Sequence, residues 1–373
     1  MKKIESKDGI AGWKIDSPIE RFLAKKADLN YFWKRIYVIF YRIFDKEYYN
    51  KGLKFIAKAI ETFKDKSVLE NKKLYKKYVV DMVYSLHRFG CMFDEYFLYD
   101  FYNKNVHGRL EYITDKIRWD YYAKFNGYDN LDLFNDKLKT YEIFKDYYCR
   151  KVCGIYSLED EKKLVDTFNN NERIIVKPIN SSGGQGVQIM NFADLKLEKL
   201  LNKFPDGIIV EELLKNHPEL SKFNESSLNT VRIVTIRLDE DVVWPFAFAR
   251  FGRKGSCVDN AFLGGIIANV DIETGVITCA KDEKGNKYIY HPDSLQCIIG
   301  FKVPFWNELK SKVKEMAQVI PENRYTGWDM AFIEDGEKAK WVMIEGNPRG
   351  QFVSQIPTGK GVKKEIDLLI NKL

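Results

Sequence analysis

Apolar and polar residues follow two different periods along this chain, and the change falls near residue 130. Before it, apolar residues recur at helical spacings. Between residues 28 and 49, Phe32, Ile36, Ile39, Phe40 and Ile43 keep that period, interrupted by Lys34, Arg35 and Arg42. Two arrangements suit such a stripe: a basic aromatic helix lying on a membrane surface, or a helix covered by its neighbour. The second is the expectation, because an apolar stripe needs a partner. Residues 53–63 and 73–89 read as further helices, and the aromatic run 93–102 as a cover over a groove. Strand–helix alternation is missing here, as is any internal repeat.

From residue 131 the pattern mixes short strands with helices. Asn135-Asp136 can cap a helix starting at Lys137, with Tyr141, Phe144 and Tyr148 on one stripe. A short helix follows to Phe168. The β-branched run 173–176 reads as a strand ending on Lys177-Pro178, where proline ends ladder donation. Residues 187–190 alternate like a second strand, 193–204 like a helix, and 207–210 like a buried strand running into Glu211, Glu212 and Leu213. Further strands are expected at 227–238, 242–251, 266–270, 327–333 and 341–344, with a polar hairpin region at 276–300. Helices are expected from Pro304 to about Val319 and over 360–369.

Composition narrows the class. A chain of 373 residues with 45% hydrophobic content has room for a substantial core and two or three structural units. The net charge of +7 suits an anionic ligand or surface without requiring nucleic acid. Six cysteines form no C-x-x-C, and no histidine pair stands at zinc spacing, so buried free thiols are expected. The opening MKKIESKDGIAGW has no apolar stretch after its lysines, and no long apolar run follows elsewhere. A cytoplasmic protein without a transmembrane span is expected, with peripheral membrane contact left open.

The candidate chemistry centres on residues 173–187. Ser181, Ser182, Gly183, Gly184 and Gly186 offer backbone N–H groups and easy positive φ, so the loop can wrap phosphate oxygens beside the Lys177 charge. A glycine-rich hairpin with no ligand fits the same residues. The P-loop and dinucleotide fingerprints do not, because no Lys-Ser or Lys-Thr follows and the glycines lead into a strand. Protein-kinase signatures are also missing. Near the other end, Asp329 and Glu345-x-Asn347 bring hard oxygen donors of the kind Mg²⁺ takes, and a spacing of two puts Glu345 and Asn347 on one strand face. Arg232, Arg250, Asn260 and Arg349 stand on strands or loops where they can meet an acidic group.

In this order, Lys137, Lys177, the loop 181–186, Val210-Glu211-Glu212-Leu213, Asp329 and Glu345-Gly346-Asn347-Pro348 resemble the ATP-grasp superfamily. The segments NTVRIVT, DNAFLGGI and GWDMAF look most like its sugar-transfer-associated branch. The resemblance covers about residues 131–353. It implies an α+β ATP-grasp fold, in which two subdomains with antiparallel sheets grip ATP, preceded here by a helical region. The division expected is 1–130 for substrate or partner recognition, 131–215 covering the nucleotide, and 216–373 carrying the metal and substrate site.

The resemblance further implies ATP and Mg²⁺ as cofactors. Lys137, Lys177, Ser181, Ser182, Gly183, Gly184, Gly186, Glu211, Glu212 and Leu213 would bind nucleotide, and Asp329, Glu345 and Asn347 the metal. Beyond what the resemblance implies, Arg232, Arg250, Asn260 and Arg349 are candidates for binding substrate or stabilising an acyl phosphate. The implied reaction is carboxylate–amine ligation, with a small or sugar-linked acid and an amine acceptor as substrates. Polysaccharide biosynthesis is the implied setting, with glycosyltransferases as candidate partners. Direct phosphorylation of a hydroxyl, or nucleotide binding without turnover beside a glycosyltransferase, are the alternatives. The helical N-terminal region departs from the Rossmann-like first domain of many such ligases, which leaves the substrate open.

Overall fold

The computed structural model describes residues 2–3, 14–127, 130, 134–180, 186–239, 241–256, 259, 264–336 and 338–373. Short strands β1 (Lys2–Lys3) and β2 (Ile15–Asp16) pair antiparallel. Helices α1 (Pro18–Ala27), α2 (Tyr31–Phe44), α3 (Lys46–Phe63), α4 (Ser67–Glu70) and α5 (Lys72–Phe89) follow. Then come α6 (Glu95–Leu98), α7 (Val106–Leu110), α8 (Arg118–Asn126) and α9 (Lys137–Tyr148). The strands begin with β3 (Val152–Ile155), then α10 (Glu161–Thr167), β4 (Arg173–Pro178), β5 (Gln188–Asn191), α11 (Leu197–Lys203), β6 (Ile208–Glu212) and α12 (Pro218–Ser221). Next are β7 (Thr230–Arg237), β8 (Val242–Val243), β9 (Ala247–Phe251), β10 (Ile266–Val270) and β11 (Ile277–Asp282). The chain closes with α13 (Trp306–Val319), β12 (Tyr325–Asp335), β13 (Lys338–Asn347), α14 (Gln355–Thr358) and α15 (Lys363–Ile370).

The chain divides into two compact units. The first holds residues 1–124, 284–286 and 355–372, so α14 and α15 group with the N-terminal helices. Local chemistry explains its helix ends. Asn71 caps α5 by accepting from the Leu74 N–H, and Gly90 stops it in the left-handed region at φ 68°. Inside, Arg109 is buried against the Asp81 carboxylate at 2.7 Å, while Tyr96 donates to the same group at 2.6 Å. Tyr37 donates to the buried Glu20 at 2.5 Å.

Two expectations fail in this unit, the second in part. The helical run expected through residue 49 breaks at Asp45, whose φ of −141° ends α2 and starts α3. The stripe expected to be covered is covered only along one edge, at Phe40 and, in part, Ile36. Tyr37, Val38, Phe40 and Tyr41 are buried, whereas Phe32, Ile39 and Ile43 are exposed. This helix is apolar nearly all round, so periodicity alone could not choose its packed face.

The second unit holds residues 125–283 and 287–354. It contains two sheets. The four-stranded sheet runs β3-β6-β4-β5, every neighbour antiparallel. Ile155, Ile174, Val176, Ile208 and Val210 form its buried core with Leu164 and Phe168. The larger sheet runs β11-β10-β9-β7-β12-β13, with β8 paired beside β7. Its core joins α9 and α13 through Phe144, Trp306, Leu309, Val313, Trp328 and Trp341. The strand expected over 242–251 divides into β8 and β9 around Pro245, which cannot donate to a ladder. The cysteines are also not uniformly buried. Cys91 and Cys153 are, but Cys149 and Cys297 are exposed and Cys279 is half-buried; these five described residues are free thiols, and Cys257 lies outside the described residues.

Candidate functional site

All the contacts that follow lie within the second unit. Lys177 is next to last in β4, in register with Ile209 of β6, and the ladder carries its side chain to Glu211 at 2.7 Å. Glu211 is buried, and its other oxygen accepts from Arg150 Nε at 2.6 Å. Arg150 follows the left-handed Cys149 that ends α9. Its Nη1 donates to the Met343 carbonyl of β13 at 2.6 Å, so this guanidinium bridges the two sheets. Burial works to raise the Glu211 pKa, but the Arg150 and Lys177 charges overcome it and hold the carboxyl at about 2. Sequence reasoning misses Arg150, and nothing local marks it: its carboxylate partner lies 61 residues away.

The expected cap at the start of α9 is present. Asp136 accepts from the Leu138 and Lys139 N–H groups at 2.9 and 3.1 Å. It sets Lys137 on the first turn, where Nζ donates to the Ile179 and Pro178 carbonyls at 3.1 and 3.3 Å. Burial lowers the Lys137 pKa, with the Glu345 carboxylate pulling the other way. Lys137 and Lys177 thus converge on the end of β4, just before the glycine loop. Ser181, Ser182, Gly183 and Gly184 lie outside the described residues. Gly186 is described at φ 76°, where an added Cβ would stand 2.8 Å from Pro178 Cγ. Glycine is therefore required there on two grounds. After β6, the Glu212 N–H donates to the Lys151 carbonyl at 3.0 Å and the Leu213 N–H to the Arg173 carbonyl at 3.2 Å. Both oxygens of Glu211 are held by cations, so its side chain is not the open ribose acceptor that a strand-end carboxylate suggests.

The second cluster crosses four adjacent strands. Asp329 of β12 is in register with Arg232 of β7 and with Glu345 of β13, while Arg250 of β9 pairs with Thr230 of β7. Because the side-chain period is two, these groups share one face. Asp329 is fully buried and accepts from Arg232 Nη2 at 2.6 Å, with Arg250 Nη2 at 2.9 Å. Burial opposes its ionisation, yet the two guanidinium charges hold its carboxyl well below the usual range. Arg250 also donates to Thr230 Oγ1 at 2.8 Å, and Thr230 in turn donates to Asp259, which stands 3.4 Å from Arg250. Thr230 and Asp259 also escape sequence reasoning.

Glu345 behaves differently from Asp329. Burial in the protein mass, then the Asp329 charge, push its carboxyl up, but 48% of its side chain is accessible and water screens that push. Asn347 donates its amide to Glu345 at 3.3 Å. Arg349 lies in the turn after β13, which Gly350 closes by donating to the Asn347 carbonyl at 3.1 Å. Asn260 lies outside the described residues.

These donors fit Mg²⁺ in part as they stand. Glu345 and Asn347 present hard oxygens at an open strand end, whereas Asp329 already carries two guanidinium partners. Among the described residues no group of three or more His, Cys, Asp and Glu side chains has metal-binding geometry.

Among known proteins, the family model described as sugar-transfer associated ATP-grasp matches residues 116–369. No curated protein matches the chain. Several solved structures are similar. ATP-grasp ligase PsnB, complexed with minimal precursor, Mg and ADP, is 15% identical over 66% of this chain and 61% of its own, with a TM-score of 0.39. D-Alanine-D-alanine ligase from Helicobacter pylori is 14% identical over 65% of this chain and 59% of its own, with a TM-score of 0.37. N5-carboxyaminoimidazole synthetase from Staphylococcus aureus, complexed with ADP, is 14% identical over 61% of this chain and 48% of its own, with a TM-score of 0.38. The chain spans less than two thirds of the length of each. With its paired antiparallel sheets and the match over most of its length, the chain has the α+β ATP-grasp fold and belongs to the sugar-transfer associated ATP-grasp family.

Proposed function

We propose that this protein is an ATP-dependent carboxylate–amine ligase that works through an acyl phosphate, on a small or sugar-linked acid, in polysaccharide or sugar-conjugate synthesis. The observation that carries this reading is the row Arg250, Arg232, Asp329 and Glu345 across β9, β7, β12 and β13. Two guanidinium groups stand on one face with the carboxylates, fixed by the sheet rather than by loops. An acid and a polyphosphate are both anionic and must be brought together. Guanidinium pairs suit carboxylate and acyl-phosphate oxygens by paired hydrogen bonds.

In this reading Lys177 and Lys137 meet the phosphates, with Lys177 held in place by Glu211 and Glu211 by Arg150. The glycine loop covers the nucleotide, and the run Glu211 to Leu213 lies along adenine and ribose. Glu345 and Asn347 would hold Mg²⁺, with Asp329 sharing its charge between the ion and the arginines. Bound there, the ion would supply charge neutralisation at the phosphates. Arg232, Arg250 and Arg349 orient the substrate carboxylate for attack on the γ-phosphorus. The bond to the β-phosphate oxygen breaks and ADP leaves. The amine then attacks the acyl carbon, phosphate departs, and the amine proton passes to solvent. The family's sugar-transfer description supports the setting and a glycosyltransferase as partner.

The test is turnover with candidate acids and amines, supplied singly and together, with ¹⁸O in the acid's carboxylate. Ligation transfers one ¹⁸O into released phosphate in step with ADP. Turnover with no label transferred, together with a stable phosphorylated product, would overturn the reading in favour of a kinase.

A further inference from the structure

The exposed side of α2 is chemically unlike an ordinary surface. Phe32, Ile39 and Ile43 lie exposed along it, with Ile36 half-buried between them. The patch continues onto α1, because the exposed Phe22 ring meets Trp33 edge-on at 6.4 Å and Trp33 meets Phe32 at 5.7 Å. Single exposed apolar residues are normal on a soluble surface, but a contiguous aromatic and aliphatic stripe marks an interaction site.

The charge around the stripe is of one sign. Arg35 and Arg42 are exposed on the same arc of α2, and Lys26 stands 5.7 Å from the Phe22 ring centroid. Neither Lys25, Arg35 nor Arg42 forms an ion pair among the described residues. The sequence of α2 contains no acid. Carboxylates close by in the sequence are occupied: Asp28 by Arg88 at 3.0 Å, Asp16 by Arg21, Glu20 by Tyr37 inside the unit, and Glu47 by Lys51 at 2.8 Å. Cations with no local partner beside aromatic and isoleucine side chains complement a surface that is anionic outside and apolar beneath.

We infer that the α1–α2 face of the helical unit docks on an anionic lipid membrane, with α2 lying in the interfacial plane. Its Phe and Ile side chains enter the headgroup boundary while Arg35 and Arg42 meet lipid phosphates and carboxylates. One modest apolar stripe holds a protein at a bilayer only reversibly. The cations supply the second attraction, and binding is therefore sensitive to salt.

The test is flotation of the full chain with phosphatidylcholine vesicles, with and without phosphatidylserine, at low and high salt. The wild type floats with the phosphatidylserine vesicles at low salt and far less with the others. Arg35→Glu with Arg42→Glu lowers that partition by about tenfold or more, two basic contacts being lost and reversed. Phe32→Ser with Ile39→Ser and Ile43→Ser lowers it similarly. Circular dichroism stays unchanged and the melting temperature falls by no more than about a few degrees in the arginine variant, whose side chains pack against no core although Arg42 sits in the last turn of α2. A wild type that never floats, or variants that float equally, would overturn the inference. So would light scattering in which the mass doubles and the apolar variant restores the monomer, since a second copy would then own the face.

Discussion

Arg150 and Glu211 are joined at 2.6 Å with both side chains almost wholly inaccessible, and the same guanidinium reaches the Met343 carbonyl at 2.6 Å. One buried ion pair therefore ties the sheet that ends in Lys177 to the strand that ends in Glu345 and Asn347. Removing one partner of a buried pair costs about 3–5 kcal/mol, because the other charge is left unpaired. Arg150→Met is expected to destabilise the fold by an amount of this order in urea unfolding and to weaken ATP binding in the surviving folded fraction. A loss within error of zero would mean that Lys177 alone satisfies Glu211.

The same pair sets an acid limit. The Glu211 pKa is lowered in the fold from 4.5 to about 2, so its contribution is present above 4.5 and is lost as pH falls through about 2. Each tenfold change in proton affinity corresponds to about 1.4 kcal/mol, which makes that contribution about 3 kcal/mol. Stability measured by denaturant between these limits should fall with acid more steeply in the wild type than in Glu211→Gln. Parallel pH profiles would show that the carboxylate is not the group responsible.

Lys177 sits where the glycine loop begins, so its loss should be felt by the nucleotide first. A charge-assisted contact contributes about 1.5–3 kcal/mol, and Lys177→Ala should weaken ATP binding roughly ten- to a hundredfold. Calorimetry on the folded variant decides it, and an unchanged affinity would remove Lys177 from the nucleotide site. Lys137→Ala should have a smaller effect of the same sign.

Asp329 and Glu345 are adjacent in register yet should respond in opposite ways. Asp329→Asn removes the carboxylate that Arg232 and Arg250 share, leaving them Glu345 at 3.8 Å and Asp259 at 3.4 Å, and should destabilise the apo protein by about 1–3 kcal/mol. Glu345 keeps 48% of its side chain open, so Glu345→Gln should leave the apo melting temperature nearly unchanged while abolishing Mg²⁺-dependent turnover. If Glu345→Gln unfolds the apo protein instead, that carboxylate is a fold element and the metal assignment fails.

Gly186 offers a backbone test. At φ 76° a side chain is strained, and its Cβ would lie 2.8 Å from Pro178 Cγ and 3.1 Å from the Phe204 ring. Gly186→Ala should lower stability by about 1–2 kcal/mol. An unchanged unfolding midpoint would mean that the turn relaxes freely.

Much of this architecture is readable in the chain because its causes are local. The Asp136 cap and the β-branched run ending in Lys177-Pro178 each follow from residues within a few positions of one another. The order of motifs from Lys137 to Asn347 likewise points to the family without knowledge of any contact. What the sequence could not supply depends on distance along the chain. Asp329 meets Arg232 from 97 residues away only because β12 lies beside β7 in a particular register, and periodicity carries no strand order. Arg150 finds Glu211 for the same reason. The exposed face of α2 is the clearest case. With apolar residues on nearly every side, its sequence allowed either stripe to be buried. Packing within the helical unit chose Tyr37, Phe40 and Tyr41, which left Phe32, Ile39 and Ile43 facing outward.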